Sequence, residues 1–245
     1  MGRNEFRKYF KTSGPAILPV IHALDSDQVA RNIAIATQAG APGVFLINHD
    51  FEHDKLLPII RSTRQRFPSL WLGVNFLAVT GRDAFPILGD LQREGVQIDA
   101  YWADDARIDE RTDQQLEALE IDTVRKESRW QGLYFGGTAF KKQREVDPAD
   151  FNQSASLACK HMDAVTTSGV ATGKAADLEK ITTFRRACAD HPLAVASGIT
   201  PDNISDYAPL LDAILIATGI NEDDDFYNIN LQRLQTVLEL SLIHI

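Results

Sequence analysis

The chain has 245 residues, 44% hydrophobic and 24% charged, enough to bury one large core and suited to a single (β/α)8 barrel of about 250 residues. A net charge of −9, with no Lys/Arg cluster interleaved with aromatics, argues against a nucleic-acid groove, whose phosphates need counter-charge. Its two cysteines, Cys159 and Cys188, are too few for a disulfide scaffold or a cysteine-rich metal site and read as reduced thiols inside helices.

The first residues, Met1-Gly2-Arg3-Asn4-Glu5-Phe6, lack the apolar core of a signal peptide. No later run approaches the roughly 20 apolar residues of a membrane helix, so the expectation is a cytoplasmic protein with no transmembrane segment. Short β-branched or aliphatic runs then predict strands at Ala16–Ile21, Val44–Asn48, Leu70–Asn75, Ile98–Trp102, Gly132–Phe135, Ala164–Thr167, Leu193–Ser197 and Ala213–Ala217. Amphipathic stretches lie between them: Val29, Ile33 and Ala36 share one helical face, as do Leu178, Ile181 and Cys188, then Leu231, Leu234 and Leu238. Asp147-Pro148 supplies an N-cap and a first-turn proline.

Eight strand–helix units imply parallel strands and right-handed crossovers, so the fold class read here is a single (β/α)8 barrel over residues 1–239. A doubly wound sheet would need a Gly-rich first turn, where the chain has His22-Ala23-Leu24-Asp25; no nucleotide-cofactor motif follows. The last residues, 240–245, read as translated sequencing adapter, a non-native tail.

A barrel gathers function at the C-terminal ends of its strands. Three late strands end alike, in Ser168-Gly169, Ser197-Gly198 and Thr218-Gly219. A glycine lets backbone N–H groups approach an anion and the hydroxyl adds another bond, so these six residues are the candidate phosphate holders. Earlier strands end in His22 and Asp25, Asn48 to Asp50, Asn75, and Asp104-Asp105. His22, Asn48 and Asn75 are read as substrate contacts. Asp104, His49 and Lys141 are the candidate catalytic residues: Asp104 or His49 for proton transfer, Lys141 or Lys142 to neutralise phosphate. Asp104 could instead hold Mg²⁺, although no metal site is assigned. His49-Asp50-Phe51-Glu52-His53 matches H-x-x-E-H, but it starts in a loop, so its histidines are expected to diverge. Gly169 to Lys174 falls one residue short of a P-loop and lacks its Ser or Thr.

Asp163-Ala164-Val165-Thr166-Thr167-Ser168-Gly169-Val170-Ala171-Thr172-Gly173, then Asp177-Leu178-Glu179-Lys180, Ala196-Ser197-Gly198-Ile199-Thr200-Pro201-Asp202-Asn203 and Ala217-Thr218-Gly219-Ile220, resemble the BtpA family of predicted (β/α)8 enzymes. The likeness covers the last third. Pro19-Val20-Ile21-His22 is similar to the family's opening strand, but the proline-rich continuation is replaced, which implies a divergent member. Although the family is linked by name to photosystem I biogenesis, nothing here shows a photosynthetic role. The resemblance implies a small-molecule enzyme, and the late-strand loops with Asp104 and His49 read further as an isomerase or lyase type acting on a small phosphorylated metabolite. The alternative is a non-catalytic ligand-binding scaffold or assembly factor, and a homo-oligomer stays open in either case.

Overall fold

The computed structural model describes residues 1–141 and 143–242. Lys142 and residues 243–245 of the suspected tail lie outside the described residues. In chain order the elements are α1 (Arg3–Phe10), β1 (Ala16–Ala23), α2 (Ser26–Ala39), β2 (Val44–Asn48), α3 (His53–Arg66), β3 (Leu72–Asn75), α4 (Gly81–Arg93), β4 (Ala100–Ala103), α5 (Leu116–Ser128), β5 (Leu133–Gly137), α6 (Phe151–Ala158), β6 (Ala164–Ser168), α7 (Leu178–Cys188), β7 (Leu193–Ala196), α8 (Ile204–Tyr207), β8 (Ala213–Ile216) and α9 (Leu231–Leu240). Every neighbouring pair of strands is parallel. β8 returns to pair with β1 from Ala16↔Ala213 to Pro19↔Ile216, which closes a (β/α)8 barrel.

The strands are buried on both faces, and their period of two divides the apolar side chains into two cores. Leu18, Val20, Phe45, Ile47, Trp102 and Leu215 point into the barrel. The alternate residues, among them Ile17, Leu46, Val74, Tyr101, Val165 and Ile214, pack beneath the helices. Gly73 belongs to the inward set, and a Cβ there would overlap the Phe45 ring; its missing side chain lets that ring cross the barrel.

Helix α1 closes the N-terminal end of the barrel. Phe6 meets Phe135 edge-on at 6.0 Å and Phe10 meets Trp71 at 4.9 Å. The fully buried Asp212, just before β8, ties this plug to the wall. It accepts from Arg3 Nε and Arg185 Nη1, each at 2.8 Å, and from the Leu193 amide at 3.0 Å. This helix precedes the strand–helix repeat, so the alternating pattern carried no signal for it.

Asp147 accepts from the Ala149 amide at 2.9 Å and opens, with Pro148, the short 3-10 turn that leads into α6. Cys188 ends α7, whereas Cys159 lies one residue beyond α6, half-buried; both thiols are free. A hydrogen bond from Cys188 holds the Cys159 thiol below its ordinary pKa. Among the described residues, no helix is long and apolar enough to cross a membrane.

Candidate functional site

Stepping two residues beyond the last inward apolar position of a strand reaches the barrel mouth. Val20 leads to His22, Ile47 to His49, Trp102 to Asp104 and Leu215 to Ala217. All eight of these residues line one cavity, with Leu77, Lys141, Thr172, Gly173, Ser197, Thr218 and Phe226 around its rim. About 600 Å³ of space lies between these residues when the open solvent at the mouth is included. Its floor is apolar and its titratable groups sit in the layer above.

His22 is the most constrained of these. Its ring stacks on Phe226 at 3.8 Å with an interplanar angle of 9°, and His49 stands edge-on to it at 5.6 Å. Nδ1 lies 2.9 Å from the Phe226 carbonyl, which only accepts, so Nδ1 carries the proton and Nε2 the lone pair. Burial lowers the His22 pKa to about 4; the Phe226 carbonyl pulls it up, and the charges of His49 and Lys141 push it down. The imidazole is therefore neutral around pH 7. The loop that delivers Phe226 is pinned by buried amides of α2: Gln28 Nε2 and Asn32 Nδ2 donate to the Tyr227 carbonyl at 2.7 and 2.9 Å. The Tyr227 hydroxyl also reaches Asp50 at 2.9 Å, joining the loops after β2 and β8.

Asp104 accepts from Asn75 Nδ2 at 3.1 Å, which orients the carboxylate over the floor. Asn75 itself is buried and contributes through Asp104. Asp105 turns aside to cap the Arg107 amide at 2.8 Å. Asp25 likewise caps α2, accepting from the Asp27 and Gln28 amides. Asn48 is out of the inward phase: its side chain takes the Leu77 amide at 3.0 Å and donates to the Phe51 carbonyl at 2.7 Å, so it staples two loops instead of lining the cavity. Lys141 is brought to the mouth by the loop after β5, where its amide donates to Ser168 Oγ at 2.8 Å. That segment is held by Lys180, whose Nζ donates to the carbonyls of Ala139 and Ser168 at 2.6 and 2.8 Å over the Phe151 ring. Burial draws the Lys180 pKa down to about 8.

The three late loops meet at this mouth through Gly173 and Thr172, Ser197, and Thr218, not through every residue of the Ser/Thr-Gly pairs. Ser168 is fully buried, its Oγ committed to the Lys141 amide and the Gly169 carbonyl. Ser197 sits at φ 93°, a costly conformation for a residue with a Cβ. Its Oγ accepts from the Gly173 amide at 3.2 Å and donates to the Ala171 carbonyl at 3.1 Å, bending the loop after β6 over the cavity. Gly198 has φ +76°, and a Cβ on it would overlap the Ala175 amide. Side chains at Gly169 and Gly219 would strike the Lys174 and Ile199 carbonyls. These glycines let three loops pack backbone to backbone.

His53 begins α3 and lies against Phe76 at 5.6 Å, apart from the cavity that His49 lines. Among the described residues no group of three or more His, Cys, Asp or Glu could hold a metal ion. Among the cavity residues that the motif reading did not assign to the site are Trp102, Thr172, Gly173 and Phe226. Trp102 could have been found from its strand phase, two before Asp104. Phe226 follows the acidic run Glu222 to Asp225 in a loop with no periodicity and gave no signal.

The model of the BtpA family matches residues 139–241, from the loop after β5 to the end of α9. No curated protein matches the chain. Among solved structures it is similar to tryptophan synthase subunit alpha from Legionella pneumophila, 15% identical with a TM-score of 0.64 over 98% of both chains. Phosphoribosyl anthranilate isomerase from Thermus thermophilus is 12% identical, with a TM-score of 0.59 over 91% of this chain and 96% of that one. A third is N-(5'-phosphoribosyl)anthranilate isomerase from Pyrococcus furiosus, 12% identical with a TM-score of 0.59 over 92% and 98%. At these identities the likeness is one of fold.

Proposed function

With residues 139–241 matching the model of the BtpA family, we propose that the barrel is an enzyme of isomerase or lyase type acting on a small phosphorylated metabolite. The observation that carries this reading is that residues from the loops after β6, β7 and β8 line the same cavity as His22, His49, Asp104 and Lys141. Phosphate would sit on the late-loop side, against loop amides, the Thr172 and Thr218 hydroxyls and the Lys141 ammonium. The Ser197 hydroxyl already donates to the Ala171 carbonyl, so it shapes this seat and the glycines let it form. The names of the similar isomerases, with their phosphoribosyl groups, agree with a phosphate ester as ligand.

At the other end, the Asp104 carboxylate, oriented by Asn75, would take a proton from the carbon beside a carbonyl and return it to the neighbouring atom. Neutral His22 presents Nε2 as an acceptor for a substrate hydroxyl, and His49 beside it can relay the proton.

Isothermal titration with inorganic phosphate tests the seat, followed by a turnover screen of phosphorylated metabolites. Thr218→Val should weaken phosphate binding by about tenfold, the loss of about 1.4 kcal/mol expected for one bond to a charged acceptor. Asp104→Asn should leave phosphate binding intact and remove turnover of any metabolite that the wild type converts. Phosphate that fails to bind, or binds Thr218→Val equally well, refutes the seat. A metabolite that binds and is never converted refutes the enzyme.

A further inference from the structure

The chain has three tryptophans, and two of their indole N–H groups are spoken for. Trp71 Nε1 donates to the Tyr9 hydroxyl and Trp130 Nε1 to the Ile98 carbonyl, each at 3.0 Å. Trp102 is different. It is only 5% exposed, on β4 inside the barrel, and its buried Nε1 has no acceptor among the described residues. It is also the tryptophan that lines the cavity. An indole nitrogen donates and never accepts, and a buried donor left without a partner is rare in a folded protein. The Phe45 and Phe140 rings, 6.1 and 6.0 Å away, hold this indole in place.

We propose that the Trp102 N–H is a ligand-binding donor on the cavity floor, and that it takes a neutral carbonyl-type oxygen carried on an apolar frame. The chemistry around it selects that class. Val20, Ile47 and Leu215 share the floor, and an apolar surround penalises a charged group far more than a neutral one. The Asp104 carboxylate in the layer directly above disfavours a second anion at the floor as well. A neutral amide or ring-ketone oxygen satisfies the indole without either cost, while its hydrocarbon frame covers the aliphatic side chains. This deepens the reading of a phosphate ester: phosphate at the late-loop rim, and the organic end, bearing this oxygen, inserted toward β4.

The test uses the full chain labelled with ¹⁵N at its indoles, so that three indole cross-peaks report separately. Trp102→Phe assigns the third by its disappearance. The probe is N-methylpyrrolidone, a neutral ring amide with no donor of its own, titrated beside inorganic phosphate. The amide should move the Trp102 indole proton downfield and saturably, leaving those of Trp71 and Trp130 in place. Trp102→Phe should weaken amide binding about fivefold to tenfold, the effect of one neutral hydrogen bond, and leave phosphate affinity unchanged. Saturating amide that moves none of the three indole cross-peaks overturns the proposal, and this readout needs no variant to fold. Equal amide affinity in wild type and Trp102→Phe overturns it too. Amide binding at Trp102 without phosphate binding supports the donor and sinks the phosphate seat; phosphate binding without amide binding does the reverse.

Discussion

Replacing Phe226 with Ala isolates what the aromatic lid does to His22. In the native chain the imidazole is covered by the Phe226 ring and bonded to the Phe226 carbonyl, and burial is the main cause of a pKa near 4 in place of 6.5. Phe226→Ala removes the ring and keeps the carbonyl, which favours the protonated ring. Water then reaches the imidazole, and its pKa should climb by at least about one unit, worth about 1.4 kcal/mol.

The same change has a consequence for stability. A histidine whose folded pKa lies below its unfolded value binds more protons when unfolded. His22 therefore costs nothing above pH 6.5 and erodes stability as pH falls from 6.5 to 4. At pH 4.5 a gap between about 4 and 6.5 amounts to about 2.5 kcal/mol, and a rise of about one unit in Phe226→Ala should relieve about 0.7 kcal/mol of it. The His22 Cε1–H titration by NMR gives the pKa, and urea unfolding at pH 7 and 4.5 gives the free energies. Comparing the acid loss of wild type with that of the variant cancels the carboxylates common to both. A native His22 titrating near 6.5, or a variant still titrating near 4, refutes the reasoning.

Gly198→Ala places a Cβ at φ +76° against the Ala175 amide; left-handed strain and overpacking together should cost about 2 to 4 kcal/mol in urea unfolding, and a cost below about 1 would mean the turn is not as tight as described. Lys180→Met strips the donor from the Ala139 and Ser168 carbonyls, for which a loss of about 1.5 to 3 kcal/mol in the same assay is expected, with faster amide exchange at Lys141. Asp212→Ala leaves Arg3 and Arg185 without their buried partner, and a drop of about 3 to 5 kcal/mol is expected; a change under about 1 would show that the pair is solvated.

Much of the barrel was legible because its signals are local and repeated. Each strand is a short apolar run covered on both faces, and each run is followed by a stretch with helical spacing. The inward phase was legible as well, which is why His22, His49 and Asp104 fall together at one mouth. Asn48 shows the limit of reading by strand end alone: it is polar and terminal, yet one residue out of phase, and its amide staples the Phe51 and Leu77 backbones. Ser168 is in a convincing Ser-Gly pair, but a hydroxyl has few bonds to give, and its bonds go to the backbone around it.

What the sequence hid was set by the other side of each contact. A glycine after a strand is needed either because an anion approaches or because another backbone does, and the two needs leave the same letter. At Gly169, Gly198 and Gly219 the obstruction to a side chain is protein backbone, so those letters record loop packing, and the proposed anion rests on the amides and hydroxyls that the packing leaves facing the cavity. Trp102 runs the other way. Its letter reads as core, and the strand phase makes it core, yet its buried N–H finds no acceptor among the described residues, which apolar packing does not offset. The closest physical pointer to the ligand's organic end is thus a residue whose hydrophobicity had assigned it to the wall of the barrel.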